Sequence, residues 1–236
     1  MLNGKNVLIT GGGKGLGYAV AVQLAKEGAH IGITGRNEEN LQHAVKTLQA
    51  MGVNAAYAVF SVDSEDAVKQ GVASIAEQLG GLDIVINNAG IGDFGKLTDM
   101  DSTTWEQVIK TNLFGVYYTA MAAYPYLKSR GQGDIVNIAS TAGLKGGAGM
   151  SAYAASKAAV ISLSQSMMAE WRKDDIRVIT LTPSTIATDM SIKGGLTDGN
   201  PDKVLQPEDF AEWVRDILNM NRRALIANGS IFSTNP

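Results

Sequence analysis

The sequence predicts one α/β domain, a doubly wound parallel sheet with helices on both faces. Three observations carry that prediction. Short apolar runs alternate with longer segments of helical period along all 236 residues, as repeated β-α-β units do. Most of these runs are continuously apolar, which suits strands covered on both sides. Polar and glycine-rich residues follow directly on the runs, where such a sheet binds its ligands beyond the carboxyl ends of its strands.

The elements follow in order. Strands are expected over residues 6–10 (NVLIT), 30–34 (HIGIT), 55–60 (AAYAVF), 82–87 (LDIVIN), 134–139 (DIVNIA) and 176–181 (IRVITL). Helices are expected over 15–28, 37–51, 64–79, 101–129 and 151–173. Asn37 before Glu38 and Glu39, and Ser64 before Glu65 and Asp66, mark helix starts, since their side chains can accept from free N–H groups of a first turn. A helix near 207–220 and a last strand near 224–232 close the domain. Between them, residues 191–206 are polar and weakly periodic. They read either as part of a mobile lid or substrate segment near 188–206, or as a surface connection.

Composition narrows the functional classes. A hydrophobic fraction of 45% and a charged fraction of 18% fit a soluble chain with a large core. A formal charge of −3 gives no global reason to bind nucleic acid or an anionic membrane. The absence of cysteine excludes disulfides, thiolate zinc sites and cysteine nucleophiles. Two histidines, His30 and His43, are too few for most imidazole sites, and no acidic cluster suggests another, so no metal is expected. The first residues lack the apolar core of a secretory signal, and no run approaches the ~18 apolar residues of a membrane span. A cytoplasmic protein is the expectation.

The segment VLITGGGKGLGYAVAVQLAKEG runs strand, glycine turn, helix. Glycines let a backbone approach a pyrophosphate, and a helix N-terminus offers free N–H groups and partial positive charge. Gly11, Gly15 and Gly17 are spaced G-x3-G-x-G, with Gly13, Lys14 and Leu16 in the same turn. After the second strand, an acidic residue would hold the 2′-hydroxyl of NAD. Here the expected position is Gly35, and Arg36 follows. Arg36 and Lys14 would attract the 2′-phosphate of NADP, so NADP(H) is the expected cofactor; the alternative is that both are solvated surface charges.

Tyr153 and Lys157, four apart on one helix among small residues, share a face. A carbonyl that accepts hydride develops alkoxide charge and needs a proton donor at its oxygen. Tyrosine can donate, and a nearby ammonium is expected to lower its pKa by roughly 1–3 units.

Five motifs stand in one order: TGGGKGLG (10–17), NNAG (87–90), Asn112 of KTNLFG, Ser140 of NIAS, and Tyr153-x3-Lys157. In these the chain resembles the classical short-chain dehydrogenase/reductases, over roughly residues 3 to 190. The resemblance implies a Rossmann-type fold and hydride transfer between a nicotinamide and a carbonyl or alcohol carbon. It also implies a catalytic set of Asn112, Ser140, Tyr153 and Lys157. In that set Ser140 would hold the substrate oxygen, and Lys157 would also bond the nicotinamide ribose. Asn112 would position a water linking the lysine to a proton relay. Asn87, Asn88, Ala89 and Gly90 would support the adenosine side, where Ser61 or the Val62 backbone would meet adenine. Pro183, Ser184, Ile186 and Thr188 of TPSTIATDM match the family's PGxxxTxM segment, with Thr188 near the carboxamide and Ser184 where glycine is usual.

Within the family the chain is most similar to 3-oxoacyl-acyl-carrier-protein reductases, which act in fatty acid biosynthesis. That likeness implies reduction of a ketone or acyl thioester. It also implies a possible acidic carrier-protein partner, met by Lys128, Arg130, Arg172 and Lys173 at the site mouth. The C-terminal LIANGSIFSTNP departs from the family's usual ending. Residues 92–97, 144–150 and 190 onward are expected to line the substrate pocket. Alternatives are an NAD(P)-dependent dehydrogenase of alcohols or small ketones, and a non-catalytic dinucleotide sensor. A homodimer or homotetramer through the long helices is expected.

Overall fold

The computed structural model describes residues 2–234. Seven parallel strands form one sheet: β1 (Asn6–Thr10), β2 (His30–Gly35), β3 (Ala55–Val59), β4 (Ile84–Asn87), β5 (Gly133–Ile138), β6 (Ile176–Pro183) and β7 (Asn228–Ile231). Their spatial order is β3-β2-β1-β4-β5-β6-β7. Winding proceeds outward from β1 to β3, then restarts beside β1 at β4. The strand order therefore reverses between β1 and β4, and a crevice opens there at the carboxyl ends.

The helices are α1 (Gly15–Lys26), α2 (Glu38–Ala50), α3 (Glu65–Leu79), α4 (Ser102–Ile109), α5 (Gly115–Ser129), α6 (Ser151–Trp171), α7 (Asp189–Lys193) and α8 (Pro207–Asn219). Successive strand residues point to opposite faces, so the apolar runs feed two layers. Ile9, Ile31, Ile33 and Ile179 pack against Leu24, Leu41, Leu48 and Phe210 of α1, α2 and α8. Leu8, Val85, Ile135 and Val178 pack against Val72, Ile75, Leu127 and Met167 of α3, α5 and α6. Asn37 and Ser64 cap their helices as expected, accepting from Asn40 N–H at 2.8 Å and Ala67 N–H at 3.4 Å.

Three departures from expectation concern the site. The single helix expected over 101–129 is interrupted by a π turn, Lys110–Phe114, which contains Asn112. The five-residue helix α7 runs into the start of the weakly periodic segment. The Thr188 hydroxyl accepts from Ser191 N–H, and Ser191 Oγ accepts from Thr188 N–H. A bridge between Ile186 and Leu205 closes the residues between them into a loop. The last strand is shorter than expected, four residues at the sheet edge.

At the opposite, amino end of the sheet, Asp134 and Arg177 form a buried two-pronged ion pair at 2.6 and 3.0 Å, and Arg222 joins it at 3.1 Å. Among the described residues no helix is long and apolar enough to cross a membrane, and no group of three or more His, Cys, Asp or Glu side chains could hold a metal.

Candidate active site

A cleft of about 1550 Å³ lies over the carboxyl ends of the strands. It has two ends with different chemistry.

The first is a glycine cradle at the strand-order reversal. Thr10, the last residue of β1, accepts through its hydroxyl from Asn88 and Ala89 N–H, each at 3.0 Å. Asn88 Nδ2 returns bonds to the Thr10 and Gly11 carbonyls at 2.9 and 3.2 Å. These four bonds fasten the loop after β4 to the loop after β1. Gly11 and Gly15 have φ of 66° and 56°, in the left-handed region that favours glycine. α1 begins at Gly15 with no side-chain cap and no acidic residue in its first turn. Its first N–H groups are left for a ligand, and Gly11, Gly13, Lys14, Gly15 and Leu16 line the cleft beside them. That is the shape and polarity a pyrophosphate needs. Gly17 differs from expectation. It lies behind the loop, where a Cβ would strike Asn88 Nδ2 and the Gly11 carbonyl, so it permits close packing rather than facing the cleft.

Farther along the same wall stand Arg36, Ser61 and Val62, followed on the facing loop by Asn88, Ala89 and Gly90. Arg36 directly follows β2, and Gly35 leaves no carboxylate beside it. Lys14 is not the free second cation expected. Its ammonium meets Asp189 of α7 at 3.1 Å, an exposed pair that spans the cleft mouth. Asp63 sits below the usual carboxylate range, held there first by the Ser61 hydroxyl and also by Gln107 and Arg36. Asn87 faces away from the cleft and bonds Asn137 at 2.8 Å, which in turn bonds Ser164, bracing β4, β5 and α6.

The second end gathers Ser140, Tyr153 and Lys157. Ser140 follows β5; Tyr153 and Lys157 lie one turn apart near the start of α6. Lys157 Nζ lies 5.7 Å from the Tyr153 ring centre and donates to the Ile138 carbonyl at 2.8 Å. Burial brings the pKa of Lys157 down to about 8. Tyr153 moves opposite to expectation. Burial raises its pKa, and the Ser140 hydroxyl offsets only part of that rise. Desolvation disfavours the charged form of each group.

Asn112 is fully buried and stands behind the cleft wall. Its amide accepts from Ile91 N–H at 2.8 Å and donates to the Ile91 carbonyl at 2.9 Å and to Ser156 Oγ at 3.0 Å. Ser156 Oγ donates to the Tyr153 carbonyl at 2.7 Å. Both Nδ2 hydrogens and one Oδ1 lone pair of Asn112 are thus used in joining the π turn to α6 and to the loop after β4. A Cβ on Gly90 would come 3.2 Å from Asn112 Oδ1 and 3.7 Å from Lys157 Nζ, so the three residues converge. Thr10 and Ser156 were missed by sequence reasoning, although one precedes the glycine turn and the other precedes Lys157 directly.

Pro183, Ser184, Ile186 and Thr188 line the cleft as expected. Serine at 184 needs no glycine geometry: among the described residues only Asp175 combines a side chain with positive φ, and Ser184 N–H donates to Ile231 as a strand residue would. Ile91, Phe94, Leu144, Met150 and Met190 make an apolar lobe next to Tyr153.

The four basic residues expected at the site mouth are elsewhere. α5 and α6 run back from the carboxyl end of the sheet, so Lys128, Arg130, Arg172 and Lys173 at their ends lie at its amino end. Lys128 pairs there with Asp174 at 3.3 Å, and Arg130 donates to the Gly80 carbonyl at 2.8 Å.

Comparison with known proteins agrees with this architecture. The family model described as short chain dehydrogenase matches residues 5–197. Gluconate 5-dehydrogenase of Gluconobacter oxydans is 34% identical over 213 residues, covering 90% of this chain and 79% of that protein. A 3-oxoacyl-[acyl-carrier-protein] reductase of Chlamydia pneumoniae is 34% identical over 216 residues, covering 92% and 83%. The crystal structure of an NAD+-bound xylitol dehydrogenase superposes with a TM-score of 0.89 at 28% identity, covering 98% of each chain. The chain belongs to the short-chain dehydrogenase family, nicotinamide-dinucleotide oxidoreductases that act between CH–OH and C=O.

Proposed function

We propose that the protein is an NADPH-dependent reductase converting a ketone to a secondary alcohol, with 3-oxoacyl thioesters as the first substrate class to examine. One observation carries this reading: a single cleft joins the uncapped glycine cradle and Arg36 to the Tyr153, Ser140 and Lys157 cluster. The cradle of Gly11, Gly13 and Gly15 would hold the pyrophosphate, Arg36 the 2′-phosphate, and Lys157 the nicotinamide ribose.

When bound, NADPH would supply hydride for the carbonyl carbon. The Tyr153 hydroxyl gives its proton to the carbonyl oxygen as that oxygen becomes an alkoxide. Ser140 Oγ donates a hydrogen bond to the same oxygen. The tyrosinate left behind is stabilised by the Lys157 ammonium and regains a proton from water. A phenol whose pKa is raised by burial stays protonated at neutral pH, which suits reduction over oxidation. Asn112 and Ser156 position α6 against the substrate loop rather than exchange protons.

A second reading, a dehydrogenase of alcohols or small ketones, is favoured by the placement of Lys128, Arg130, Arg172 and Lys173 away from the site mouth. It takes those four residues away from the place where an acyl carrier protein was expected to meet them. Phe114, Tyr117 and Met121, exposed along one side of the π turn and α5, support a homodimer or homotetramer. The cysteine-free sequence fits a cytoplasmic setting.

The test is turnover with NADPH on an acetoacetyl thioester and on a panel of simple ketones, followed by loss of nicotinamide absorbance. Reduction of at least one is expected. A protein that binds NADPH yet reduces none refutes the reading.

A further inference from the structure

Phe94 lies in the loop after β4, within the 92–97 stretch expected to line the substrate pocket, and its ring sits against Tyr153, Gly92 and Gly194. It meets the Tyr153 ring edge to face, with centroids 5.6 Å apart. A Cβ on Gly92 would come 2.6 Å from its Cζ, and one on Gly194 would come 2.8 Å from its Cδ2 and Cε2. Neither glycine needs to be glycine for its backbone. Gly92 has no positive φ, and Gly194, which ends α7, has φ −77° and ψ −1°, open to any residue. The ring is the nearest obstacle to a side chain at both, followed by Met190, whose Sδ would lie 3.3 Å from a Cβ on Gly92 and whose carbonyl would lie 3.0 Å from one on Gly194. The loop is also pinned from the far side, since Gly95 N–H donates to the Gly149 carbonyl at 2.9 Å, just ahead of α6.

We propose that Phe94 is the residue that sets substrate specificity, a fixed aromatic wall seated on Gly92 and Gly194 that limits the carbonyl beside Tyr153 to slim, unbranched substituents. The inference rests on the ketone-reductase reading above and adds to it the shape of ketone accepted. Because the ring also abuts the end of α7, a bulky substituent would have to displace the wall and the α7 segment together. Pocket contacts of this kind discriminate strongly: one methylene group changes relative rates by about 10–200-fold.

The experiment compares butanone with acetophenone, using NADPH and the full chain. In Phe94→Ala the ratio of kcat/KM for acetophenone over butanone should rise at least about tenfold; in Phe94→Trp it should fall. A second readout needs no turnover. Gly194→Ala should lower the urea midpoint clearly when Phe94 is present and by much less in the Phe94→Ala background, where the ring is gone and only the Met190 carbonyl, 3.0 Å from the new Cβ, still crowds it. An unchanged ratio in a protein that reduces butanone overturns the specificity role and leaves the reductase reading intact. Equal damage from Gly194→Ala with and without Phe94 overturns the seat. If the unaltered protein reduces neither ketone nor any of the panel, the reductase reading falls and takes this inference with it.

Discussion

Replacing Lys157 with methionine measures what the fold gives up to keep an ammonium inside the cleft wall. The side chain is buried, and burial holds its pKa at about 8 instead of 10.5. One decade of proton affinity is worth about 1.4 kcal/mol, so the charged lysine costs the native state about 3 kcal/mol wherever folded and unfolded chains both carry the proton. That regime lies below about pH 8. As pH rises from about 8 to 10.5, the folded chain has released a proton that the unfolded chain still holds, and the penalty fades. Methionine is of similar length and carries no charge, so the variant has no such slope. It does leave the Ile138 carbonyl without its Lys157 donor, a loss of about 1–3 kcal/mol that is the same at every pH. Comparing two pH values cancels that constant. Between pH 7 and 10.5 the unaltered protein should gain about 3 kcal/mol relative to the variant, read from urea titrations of tryptophan fluorescence without nucleotide. Parallel stability profiles would show that the ammonium is not desolvated. A relative loss with rising pH would refute the sign of the reasoning.

Three further outcomes follow from the same structure. Because Lys157 loses its proton near 8, kcat/KM for reduction should fall as pH rises through about 8; a profile flat well beyond that value contradicts the role given to the ammonium. Asp134→Ala leaves Arg177 buried without its partner and should cost about 3–5 kcal/mol in urea unfolding, and a cost under about 1 kcal/mol would show that water reaches the pair. Arg36→Asp should weaken NADPH and favour NADH, shifting the ratio of their dissociation constants by about 10–100-fold in calorimetric titration, whereas an unchanged ratio removes Arg36 from phosphate recognition.

The strands were legible because a parallel sheet covered on both faces demands continuous apolar runs, and NVLIT or IRVITL can serve little else. The glycine turn was legible for a similar reason, since its spacing and its place between strand and helix constrain each other. The π turn was not. Nothing in residues 110–114 themselves breaks the helical pattern, and the Lys110–Phe114 turn is tied down by the bonding of the Asn112 amide to Ile91 and Ser156, residues distant in sequence. α7 escaped because five residues are too few to show a period. The direction of the Tyr153 pKa depends on how completely neighbouring elements bury the ring, which spacing along one helix does not report. The positions of Lys128 and Arg172 were legible in the topology. A helix that returns from the carboxyl end of a parallel sheet must end at the amino end.

The account depends most on Tyr153 as the proton donor. Tyr153→Phe keeps the ring and its packing against Phe94 and removes only the hydroxyl. The deciding measurement pairs the NADPH dissociation constant with kcat on whichever ketone the protein reduces. Affinity should stay within about threefold while kcat falls by about 10²–10⁴. A variant that binds NADPH equally well and reduces the ketone at nearly the original rate would contradict the account.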